Sequence, residues 1–407
     1  MDLSRILIVT QHFWPENFKI NDLAVELRDK GFDVTVLTGK PNYPSGSFFE
    51  GYSFFGKPVE FYNGIKVYRV PLFRRGSGGG WRLFVNYVSF VVFASLFICF
   101  HWRPYDYSLV FASSPVTQAY PALLHKLLFR TRVIVWLLDL WPESVESAGG
   151  LRNRFIISLI RKLSNHIYRK SDKIMVQSEA FIPVLKERGV PGDRLYYVPN
   201  WAEEIFEKGE YEQPDIDPFT GGSKNDFTIM FAGNMGEAQG IEHVIEAAYL
   251  TRHNPIIKWV FLGGGRNESY AIEKVKELNL TDTVRFYGRH HQTTMPWFYE
   301  KADIMLISLK DEYTFSLTIP ARLQSFMAVG KPVLGFINGE CAELIKKADC
   351  GFTSVAEDSI KLAELVTEIS RLSSEELLAK GLNGQDFYRR NFMRSLIIDR
   401  VISILSS

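Results

Sequence analysis

Residues 233–240, GNMGEAQG, form a loop whose glycines could bring the backbone against a phosphate or diphosphate. The apolar run Phe227–Phe231 before the loop is typical of a strand, and apolar residues at helical spacing follow it, namely Ile241, Val244, Ile245 and Ala248. A helix that begins directly after the loop offers unpaired N–H groups to an anion. A plain connection between a strand and a helix is the alternative interpretation of the same residues.

A second anion site is indicated between Asp303 and Phe336, where a strand and a loop lead to a helix that opens near Pro320. Four residues that could offer backbone N–H groups and hydroxyls precede this helix, namely Ser316, Leu317, Thr318 and Ile319. Arg322 falls on the first helical turn, where a cation is unfavourable for the helix dipole unless an anion binds beside it. An exposed arginine with no ligand is the alternative.

The chain begins with a strand at Arg5–Thr10, a helix at Ile20–Lys30 and a strand at Asp33–Leu37, which predicts a parallel sheet. The loop after the first strand lacks a GxGxxG pattern, and this argues against NAD. Ligands of open α/β folds bind at the carboxyl ends of the strands. Polar residues that could line such a site are Asn17, Lys19, Asn21 and Asp22, although Asn21 and Asp22 could also be helix caps.

Residues 40–57, KPNYPSGSFFEGYSFFGK, are rich in proline, glycine and aromatic residues and predict a long ordered loop. The rings could belong to the core. So many rings on a loop, Tyr43 included, also suit a sugar face or an apolar lipid chain, and Tyr43 is therefore a candidate for acceptor binding.

The most hydrophobic stretch, Leu83–Phe100, is uncharged and just about long enough to cross a bilayer. Strand character resumes at Tyr107–Phe111, so a membrane span would separate two strands of one sheet. A buried core helix and a helix lying in the membrane interface both remain open. Cations and an aromatic residue beside the stretch favour the interfacial position, namely Arg74, Arg75, Arg82, Trp102 and Arg103.

The composition is that of a folded globular protein, since 46% of the 407 residues are hydrophobic and 23% are charged. The three cysteines have no CxxC spacing, so neither a disulfide framework nor a zinc site is expected. The N-terminus leads directly into a strand with no signal peptide, and we expect a cytoplasmic protein. Lys and Arg are in excess over residues 1–200, and no acidic residue lies between Glu60 and Asp106.

Alternating strands and helices run through both halves of the chain and predict two α/β domains with a cleft between them. We expect an N-terminal domain at 1–200, a linker at 201–224, a second domain at 225–385 and a C-terminal helix at 386–407 that returns to the first domain. The linker contains Asp215 and Asp217, formally a metal-binding DxD pair. In a segment so rich in proline and glycine this pattern is a weak signal, and no metal site is expected.

Four phrases together resemble GT-B-fold, retaining, nucleotide-sugar-dependent glycosyltransferases of the glycogen-synthase-like group, glycosyltransferase family 4. They are FWPENFKINDLAVELRDKGFDVTVLTG, the 233–240 loop, ADIMLIS, and PARLQSFMAVGKPV. Within that group the chain is most similar to bacterial L-fucosamine transferases of O-antigen and capsule assembly, which share phrases like NFKIND, PNYPSG and DLWPES. The resemblance covers nearly the whole chain and implies two Rossmann-like parallel-sheet domains facing across a cleft.

The resemblance implies donor-binding residues in the second domain. The diphosphate would lie on Gly233, Gly236 and Gly240 and on the turn from Ser316 to Arg322, with Arg266 assisting and the base near Arg289. The family's usual Arg and Lys on the glycine loop fall at Asn234 and Gln239. The second carboxylate of its E-x7-E motif, which binds the ribose, falls at Ser325, and the first falls at Leu317, with Glu312 nearby as a further catalytic candidate.

In the first domain, Leu138-Asp139 stands where many members of the family carry His-Asp. The resemblance makes Asp139 the candidate for hydrogen bonding to the transferred sugar or to the acceptor hydroxyl, with Glu143 second. A helix cap is the alternative role for Asp139.

The implied activity is retaining transfer of an N-acetylated amino-deoxy sugar, N-acetyl-L-fucosamine as the best candidate, from a UDP-sugar to a polyprenyl-diphosphate-linked saccharide. We expect no cofactor, no metal requirement, no nucleic acid partner, and peripheral association with the inner face of the cytoplasmic membrane. Two other classes remain open. A UDP-N-acetylhexosamine 2-epimerase would share the fold but needs no lipid acceptor, and a two-lobed sugar-binding protein would lack catalysis.

Overall fold

The computed structural model describes residues 4–76, 80–101, 103–149, 153–209, 211–214, 217, 219, 223 and 225–407. Trp102 and Asp215, both named above, lie outside these residues. The chain forms two units, one made of Met1–Val198 with Ile398–Ser407 and the other of Pro199–Ile397.

The first unit is built on an eight-stranded sheet in the order β3-β4-β2-β1-β5-β6-β7-β8. Its strands are β1 (Arg5–Val9), β2 (Asp33–Thr38), β3 (Val59–Tyr62), β4 (Ile65–Arg69), β5 (Tyr107–Ala112), β6 (Arg132–Leu137), β7 (Lys173–Val176) and β8 (Leu195–Tyr197). Its helices are α1 (Lys19–Asp29), α2 (Gly80–Phe100), α3 (Tyr120–Phe129), α4 (Glu143–Gly149), α5 (Arg154–Lys170) and α6 (Phe181–Glu187). The central strands are continuous apolar runs because helices cover parallel sheets on both faces.

The hairpin of β3 and β4 was not predicted. It is the one antiparallel pair of this sheet among the described residues, with Tyr62 opposite Ile65. Asn63 and Gly64 both have positive φ, at 46° and 79°, as a two-residue hairpin turn requires. The Asn-Gly pair was the available signal, but the strands beside it alternate only weakly between apolar and polar residues.

The second unit carries a six-stranded sheet, entirely parallel, in the order β11-β10-β9-β12-β13-β14. Its strands are β9 (Phe227–Asn234), β10 (Ile257–Gly264), β11 (Val284–Gly288), β12 (Ile304–Ser308), β13 (Val333–Phe336) and β14 (Gly351–Ser354). Its helices are α7 (Glu204–Lys208), α8 (Ile241–Leu250), α9 (Glu268–Glu277), α10 (Met295–Glu300), α11 (Tyr313–Ser316), α12 (Arg322–Ala328), α13 (Glu340–Lys347), α14 (Ser359–Ile369) and α15 (Ser374–Asn391), and α16 (Arg394–Ser406) begins here. The prediction of two parallel-sheet α/β domains is confirmed.

The C-terminal region differs from the prediction of one helix from residue 386. Helix α15 already begins at Ser374, after a capping box made by Ser373 and Glu376. It ends where the N–H groups of Phe392 and Met393 both donate to the carbonyl of Tyr388, at 2.7 and 3.1 Å. Two donors on one carbonyl interrupt the regular ladder, so α16 starts as a separate helix, and residues 398–407 group with the first unit.

The segment predicted as a linker, 201–224, is anchored at its start. Trp201 and Phe206 are 0% and 5% exposed. The ring of Phe206 stacks on Tyr299 of α10 with centroids 5.3 Å apart. The first residues of this segment therefore belong to the core of the second unit.

Helix α2 buries two of its polar side chains and exposes many of its apolar ones. Asn86 and Ser89 are 0% and 5% exposed. Six apolar side chains of the same helix are at least 42% exposed, namely Trp81, Phe84, Val88, Val92, Leu96 and Phe100. Among the described residues, α2 is the one helix long and apolar enough to cross a membrane. A simple core helix would bury those apolar side chains, so the core interpretation does not account for this face.

The glycine at position 263 offers a test of how tightly β9 and β10 approach. At φ 120°, a Cβ on Gly263 would lie 1.9 Å from the carbonyl oxygen of Gly233. We expect Gly263→Ala to lower the free energy of unfolding by at least about 3 kcal/mol, because an unfavourable φ and a backbone clash add. Chemical denaturation measures the difference.

The matched control is Gly64→Ala, which has a similarly positive φ of 79° but no atom within 4 Å of the added Cβ. It should cost only about 1 kcal/mol. Equal losses in the two variants would contradict the close approach of the two strands.

Candidate active site

Strand β9 ends against the guanidinium of Arg322. Gly233 has φ 147°, and a Cβ there would lie 3.1 Å from Arg322 Nη1. The same Nη1 donates to the carbonyl oxygen of Ala232 at 3.4 Å, and Arg322 Cζ lies 4.9 Å from the ring centroid of Phe231. Glycine at 233 is thus what lets the first residue of α12 reach the carboxyl end of the strand.

Arg322 has no counter-ion among the described residues. No carboxylate lies within 4 Å of its guanidinium, and its side chain is largely buried beside Tyr299 and Cys341. Burial lowers the pKa of Arg322, because removing a cation from water disfavours the charged form. An arginine nevertheless stays protonated, so an anion bound beside it would compensate its desolvation.

The loops after β9 and β10 are fastened to each other through the backbone. Met235 N–H donates to the Gly264 carbonyl at 3.0 Å, and Asn267 N–H donates to the Met235 carbonyl at 2.9 Å. A Cβ on Gly265 would lie 2.5 Å from the Met235 carbonyl oxygen. The glycines of both loops therefore serve close backbone packing.

Within the 233–240 loop, side chains already use part of the backbone. Gly236 N–H donates to Gln239 Oε1 at 3.0 Å, and Asn234 lies against the same glycine, with its Nδ2 2.7 Å from a Cβ placed there. Gly240 adopts the left-handed conformation at φ 54° and leads into α8. Gln239, where the family carries a cation, thus shapes the loop.

The turn before α12 uses its hydroxyl groups locally. Ser316 Oγ donates to the Tyr313 carbonyl at 2.8 Å, and Thr318 Oγ1 donates to the Thr314 carbonyl at 2.8 Å. The Ile319 side chain is 2% exposed, and Leu317 is half-buried. The predicted gathering of hydroxyl donors is therefore not seen here, and the backbone N–H groups of Ser316 and Thr318 also donate locally, at 3.0 and 3.1 Å.

Three further predicted residues lie on neighbouring loops. Arg266 follows β10 and is exposed. Arg289 follows β11, and its Nε lies 2.9 Å from a Cβ placed on Gly264. Glu312 follows β12 and is half-buried. All three loops leave the carboxyl ends of parallel strands, so the sheet places these residues on one edge.

Ser325 has a different partner from the one expected. Its hydroxyl donates to Glu203 Oε2 at 3.0 Å, and Glu203 lies 122 residues earlier, just before α7. The structure therefore brings a carboxylate to the position where the sequence has none.

In the first unit, Asp139 lies just beyond β6 and is held by a neighbouring strand's loop. Ser114, which follows β5, donates its hydroxyl to Asp139 Oδ2 at 2.8 Å. Trp141 Nε1 donates to the same Ser114 oxygen at 3.1 Å. Among the residues that the structure describes, no cation pairs with Asp139.

Burial raises the pKa of Asp139 from 3.8 to about 6, and the hydrogen bond from Ser114 only partly opposes this rise. The carboxyl group is thus poised to change charge close to neutral pH. Groups of this kind are frequent at catalytic sites.

Glu143 lies in a structural ion pair. Its Oε1 pairs with Arg188 Nη2, and the two side chains are 15% and 11% exposed. Arg188 Nη1 also donates to the carbonyl of Trp141 at 2.6 Å. The pair fixes the start of α4, which leaves Asp139 as the stronger catalytic candidate of the two.

The loop before α1 is organised by a buried carboxylate that the sequence analysis missed. Glu16 is 2% exposed, and its Oε1 accepts from the N–H groups of Asn42 and Tyr43 at 2.7 Å each. Its Oε2 pairs with His12 Nδ1 at 2.8 Å. The loop that carries Tyr43 is therefore fixed to the loop after β1.

Asn21 serves the same framework. Its Oδ1 accepts from Trp14 N–H at 3.0 Å, and its Nδ2 donates to the Glu16 carbonyl at 2.7 Å. The three other polar candidates of this loop lie around the first turn of α1, namely Asn17, Lys19 and Asp22. Tyr43 is 39% exposed and remains available to a ligand.

Three residues of the first-unit site were missed, namely Ser114, Trp141 and Glu16. Ser114 follows β5 and Asp139 follows β6, and these two strands are paired. The pairing could have identified Ser114, but it requires the strand order. No group of three His, Cys, Asp or Glu side chains in the described part of the chain is arranged to hold a metal ion.

The raised pKa of Asp139 predicts a pH-dependent effect of Asp139→Asn on stability. Below pH 4 both folded and unfolded carboxyl groups are protonated; between pH 4 and about 6 the unfolded chain loses its proton first, so the wild type loses stability as pH rises. Above pH 6 the neutral variant should therefore be more stable by about 1–3 kcal/mol, and near pH 4 the difference should vanish. Thermal unfolding across this range measures it.

Asp172→Asn is the matched control, since Asp172 pairs with Lys126 at 2.6 Å and accepts from Val133 N–H at 2.8 Å. Its replacement should not stabilise the protein. A stability difference for Asp139→Asn that stays constant from pH 4 to 7 would contradict the raised pKa.

Comparison with known families assigns both units. The family described as "Glycosyl transferase 4-like domain" matches residues 18–201, and "Glycosyl transferases group 1" matches residues 212–380. Between them the two matches account for most of the chain.

Two relatives are glycosyltransferases by name. WbjE of Pseudomonas aeruginosa is 28% identical over 269 residues, which are 64% of each chain, so the match leaves over a third of that relative uncovered. The colanic acid biosynthesis glycosyl transferase WcaI of Escherichia coli is 24% identical over 339 residues, or 80% of this chain and 81% of that one.

A solved structure shows the same fold. Anabaena HepE in complex with UDP and glucose is 15% identical, with a TM-score of 0.66 and full coverage of both chains. Two Rossmann-like parallel sheets and this likeness define the GT-B fold. Because the two family matches together cover residues 18–201 and 212–380, the chain belongs to the group 1, GT4-like glycosyltransferases.

Proposed function

We propose that this glycosyltransferase moves an N-acetylated amino-deoxy sugar, with N-acetyl-L-fucosamine as the best candidate, from a UDP-sugar to a polyprenyl-diphosphate-linked saccharide with retention of configuration. The observation that carries the proposal is the largely buried guanidinium of Arg322, which lies at Gly233 without a carboxylate partner among the described residues. A diphosphate is the anion that a nucleotide-sugar donor would bring to this place.

The relatives support the biological setting. WcaI is named for colanic acid biosynthesis, and HepE binds UDP and glucose in a chain of the same fold. We infer a role in the assembly of an O-antigen or capsular polysaccharide, with a UDP-sugar as donor.

The proposed chemistry depends on stabilising the leaving group. When the bond between the anomeric carbon and the phosphate oxygen breaks, UDP departs with additional negative charge. Arg322 and backbone N–H groups can stabilise that charge without a metal ion, since donors fixed beforehand need no reorganisation during the reaction. The new bond forms to the acceptor oxygen on the same face of the sugar, and the proton of that hydroxyl passes to the departing diphosphate.

Asp139 supports the acceptor half of the proposal. A carboxyl group with a pKa of about 6 is largely ionised at neutral pH and can accept a hydrogen bond from a sugar hydroxyl. Ser114 and Trp141 fix its orientation. Asp139→Asn keeps this geometry but makes the side chain a weaker hydrogen-bond acceptor. The variant should therefore lower the turnover number more than the affinity for the UDP-sugar donor.

The proposal places the enzyme in the cytoplasm, peripherally on the inner membrane. Helix α3 packs against both α2 and α5, and all three expose apolar side chains. On α5 these are Phe155, Ile156 and Leu159, which are 79%, 41% and 49% exposed. Exposed cations without ion pairs among the described residues accompany them, namely Arg82, Arg130, Arg154 and Lys162. Apolar side chains flanked by cations fit an anionic bilayer surface.

Arg322→Ala tests the donor site. We expect UDP affinity to fall roughly ten- to hundredfold, because a charge-assisted contact to the diphosphate is lost. Isothermal titration with UDP, with and without EDTA, measures this, and binding should survive EDTA.

Arg285→Ala is the matched control for charge, since Arg285 is exposed on β11. Its UDP affinity should stay within about twofold of wild type. Unchanged UDP affinity in Arg322→Ala removes Arg322 from the site, and absence of UDP binding in the wild type overturns the choice of donor.

The exposed face of α2 tests the membrane proposal. Replacing Phe84, Val88 and Leu96 by glutamine should weaken binding to phosphatidylglycerol vesicles roughly a hundredfold, because each side chain contributes about 1 kcal/mol on partial burial. Vesicle co-sedimentation measures it. These side chains are exposed, so folding should be retained.

An equally exposed apolar set in the second unit provides the control, namely Ile360, Leu378 and Leu382. Glutamine at these three positions should leave vesicle binding unchanged. If both triple variants bind vesicles like the wild type, the α2 face has another role.

A further inference from the structure

Three arginines lie around the start of α2 without a counter-ion. Arg74, Arg75 and Arg82 form no ion pair with any carboxylate in the residues that the structure describes. No acidic residue occurs in the sequence between Glu60 and Asp106, so their charge is not neutralised locally. Arg82 folds back on the backbone beside Arg75, because its Nη1 lies 3.0 Å from a Cβ placed on Gly76.

Arg75 is the most firmly placed of the three. Its guanidinium carbon lies 5.1 Å from the ring centroid of Tyr43, and the backbone N–H of Arg75 donates to Asn42 Oδ1 at 3.3 Å. Asn42 is 0% exposed and is held by Glu16 and by Asn86 of α2. Arg75 and Tyr43 therefore share one buried framework, which reduces the entropy cost of holding a ligand.

Arg75 and the candidate catalytic carboxylate both act electrostatically on Tyr87 of α2. The phenol of Tyr87 on α2 is within electrostatic reach of Arg75, Asp139 and Tyr43. Its ring lies 6.4 Å, between centroids, from Trp141, which donates to the serine that holds Asp139. One group of residues thus connects the cation to the carboxylate within the first unit.

The exposed apolar face of α2 begins at the same place. Trp81 and Phe84 lie on its first turns, stack with centroids 5.5 Å apart, and are 74% and 55% exposed. A cationic pocket next to an apolar surface suits a ligand that joins a phosphate group to a hydrocarbon chain.

We propose that Arg75, with Arg82 beside it, binds the diphosphate of the lipid-linked acceptor and that Trp81 and Phe84 receive the first part of its prenyl chain. The proposal rests on the proposed function, because it assigns the acceptor's position in that reaction. Two neighbouring cations match the charge of a diphosphate. The sugar attached to that diphosphate would then extend towards Tyr43 and Asp139.

A phosphate group could also come from the headgroup of a bilayer lipid. The two sources differ in what Arg75 recognises, since a headgroup contact contributes to vesicle binding in general, whereas the acceptor site requires a diphosphate on a prenyl chain. Separate measurements with each ligand distinguish them.

The test is calorimetric titration of the full chain with farnesyl diphosphate, a soluble prenyl diphosphate, and with farnesol for comparison. We expect the wild type to bind farnesyl diphosphate more tightly than farnesol, and Arg75→Gln to weaken farnesyl diphosphate roughly ten- to hundredfold. Arg75→Lys keeps the charge and should recover much of the affinity, which separates loss of binding from loss of folding.

Arg74→Gln is the matched control. Arg74 is the neighbouring residue, is exposed, and lies 5.8 Å from the ring centroid of Phe48 instead of on Tyr43. The affinity of the Arg74→Gln variant for farnesyl diphosphate should stay within about twofold of wild type.

The proposal is overturned if Arg75→Gln binds farnesyl diphosphate like the wild type, or if the wild type binds farnesol equally well. A parallel loss of affinity for phosphatidylglycerol vesicles in Arg75→Gln would assign the arginine to a bilayer headgroup, which also overturns it. UDP titration of the same variant keeps the two proposals apart. Arg75→Gln should bind UDP with the affinity of the wild type. If neither protein binds UDP, the donor proposal is rejected, and the farnesyl diphosphate measurement still stands.

Discussion

A largely buried guanidinium, with no carboxylate beside it in the part of the chain that the structure describes, constrains the whole ligand edge of the second sheet. Arg322 can approach the end of β9 only because residue 233 has no Cβ. Gly233 in turn is so close to β10 that residue 263 must also be glycine. The loops after these strands are then joined by the hydrogen bonds of Met235. The glycines thus create room for one cation, and that cation is the group that would bind the diphosphate in the proposed function.

The first unit has the opposite charge at the corresponding edge of its own sheet. Asp139 lies beyond β6, buried enough to raise its pKa to about 6, and a serine from the next strand's loop orients it. Each sheet therefore keeps, at the carboxyl ends of its strands, a largely buried ionisable group that has no counter-ion among the described residues. Burying such groups lowers the stability of the folded protein. Their presence at these strand ends distinguishes the proposed sites from the rest of the surface.

Helix α2 connects the membrane proposal to the proposed acceptor site. Its buried polar residues bond to both loops that precede the site, since Asn86 accepts from Gln11 at 2.7 Å and donates to Asn42 at 3.4 Å. Its apolar side chains face outward instead. A helix with this arrangement can hold the loop of Tyr43 and Arg75 on one side while the other side contacts lipid. This exposed apolar face explains why the stretch resembles a membrane span in sequence although it packs against elements of the first unit.

The amino-acid sequence by itself determined the two α/β units, because apolar strand runs such as those of β1, β6 and β9 alternate with helical patterns, as in parallel sheets covered on both faces. It also located Gly233 and Arg322, since a strand end and a helix start follow from local patterns, whereas the family resemblance pointed to Asp139. It did not reveal the β3–β4 hairpin, because apolar and polar residues alternate only weakly along these strands. It also missed the break between α15 and α16, because that break depends on two N–H groups that share one carbonyl. Only the tertiary structure showed that Ser114 orients Asp139, that Glu203 meets Ser325 and that α2 turns its polar residues inward. These contacts join residues as far as 122 positions apart, and strand order and packing, which no local pattern encodes, bring them together.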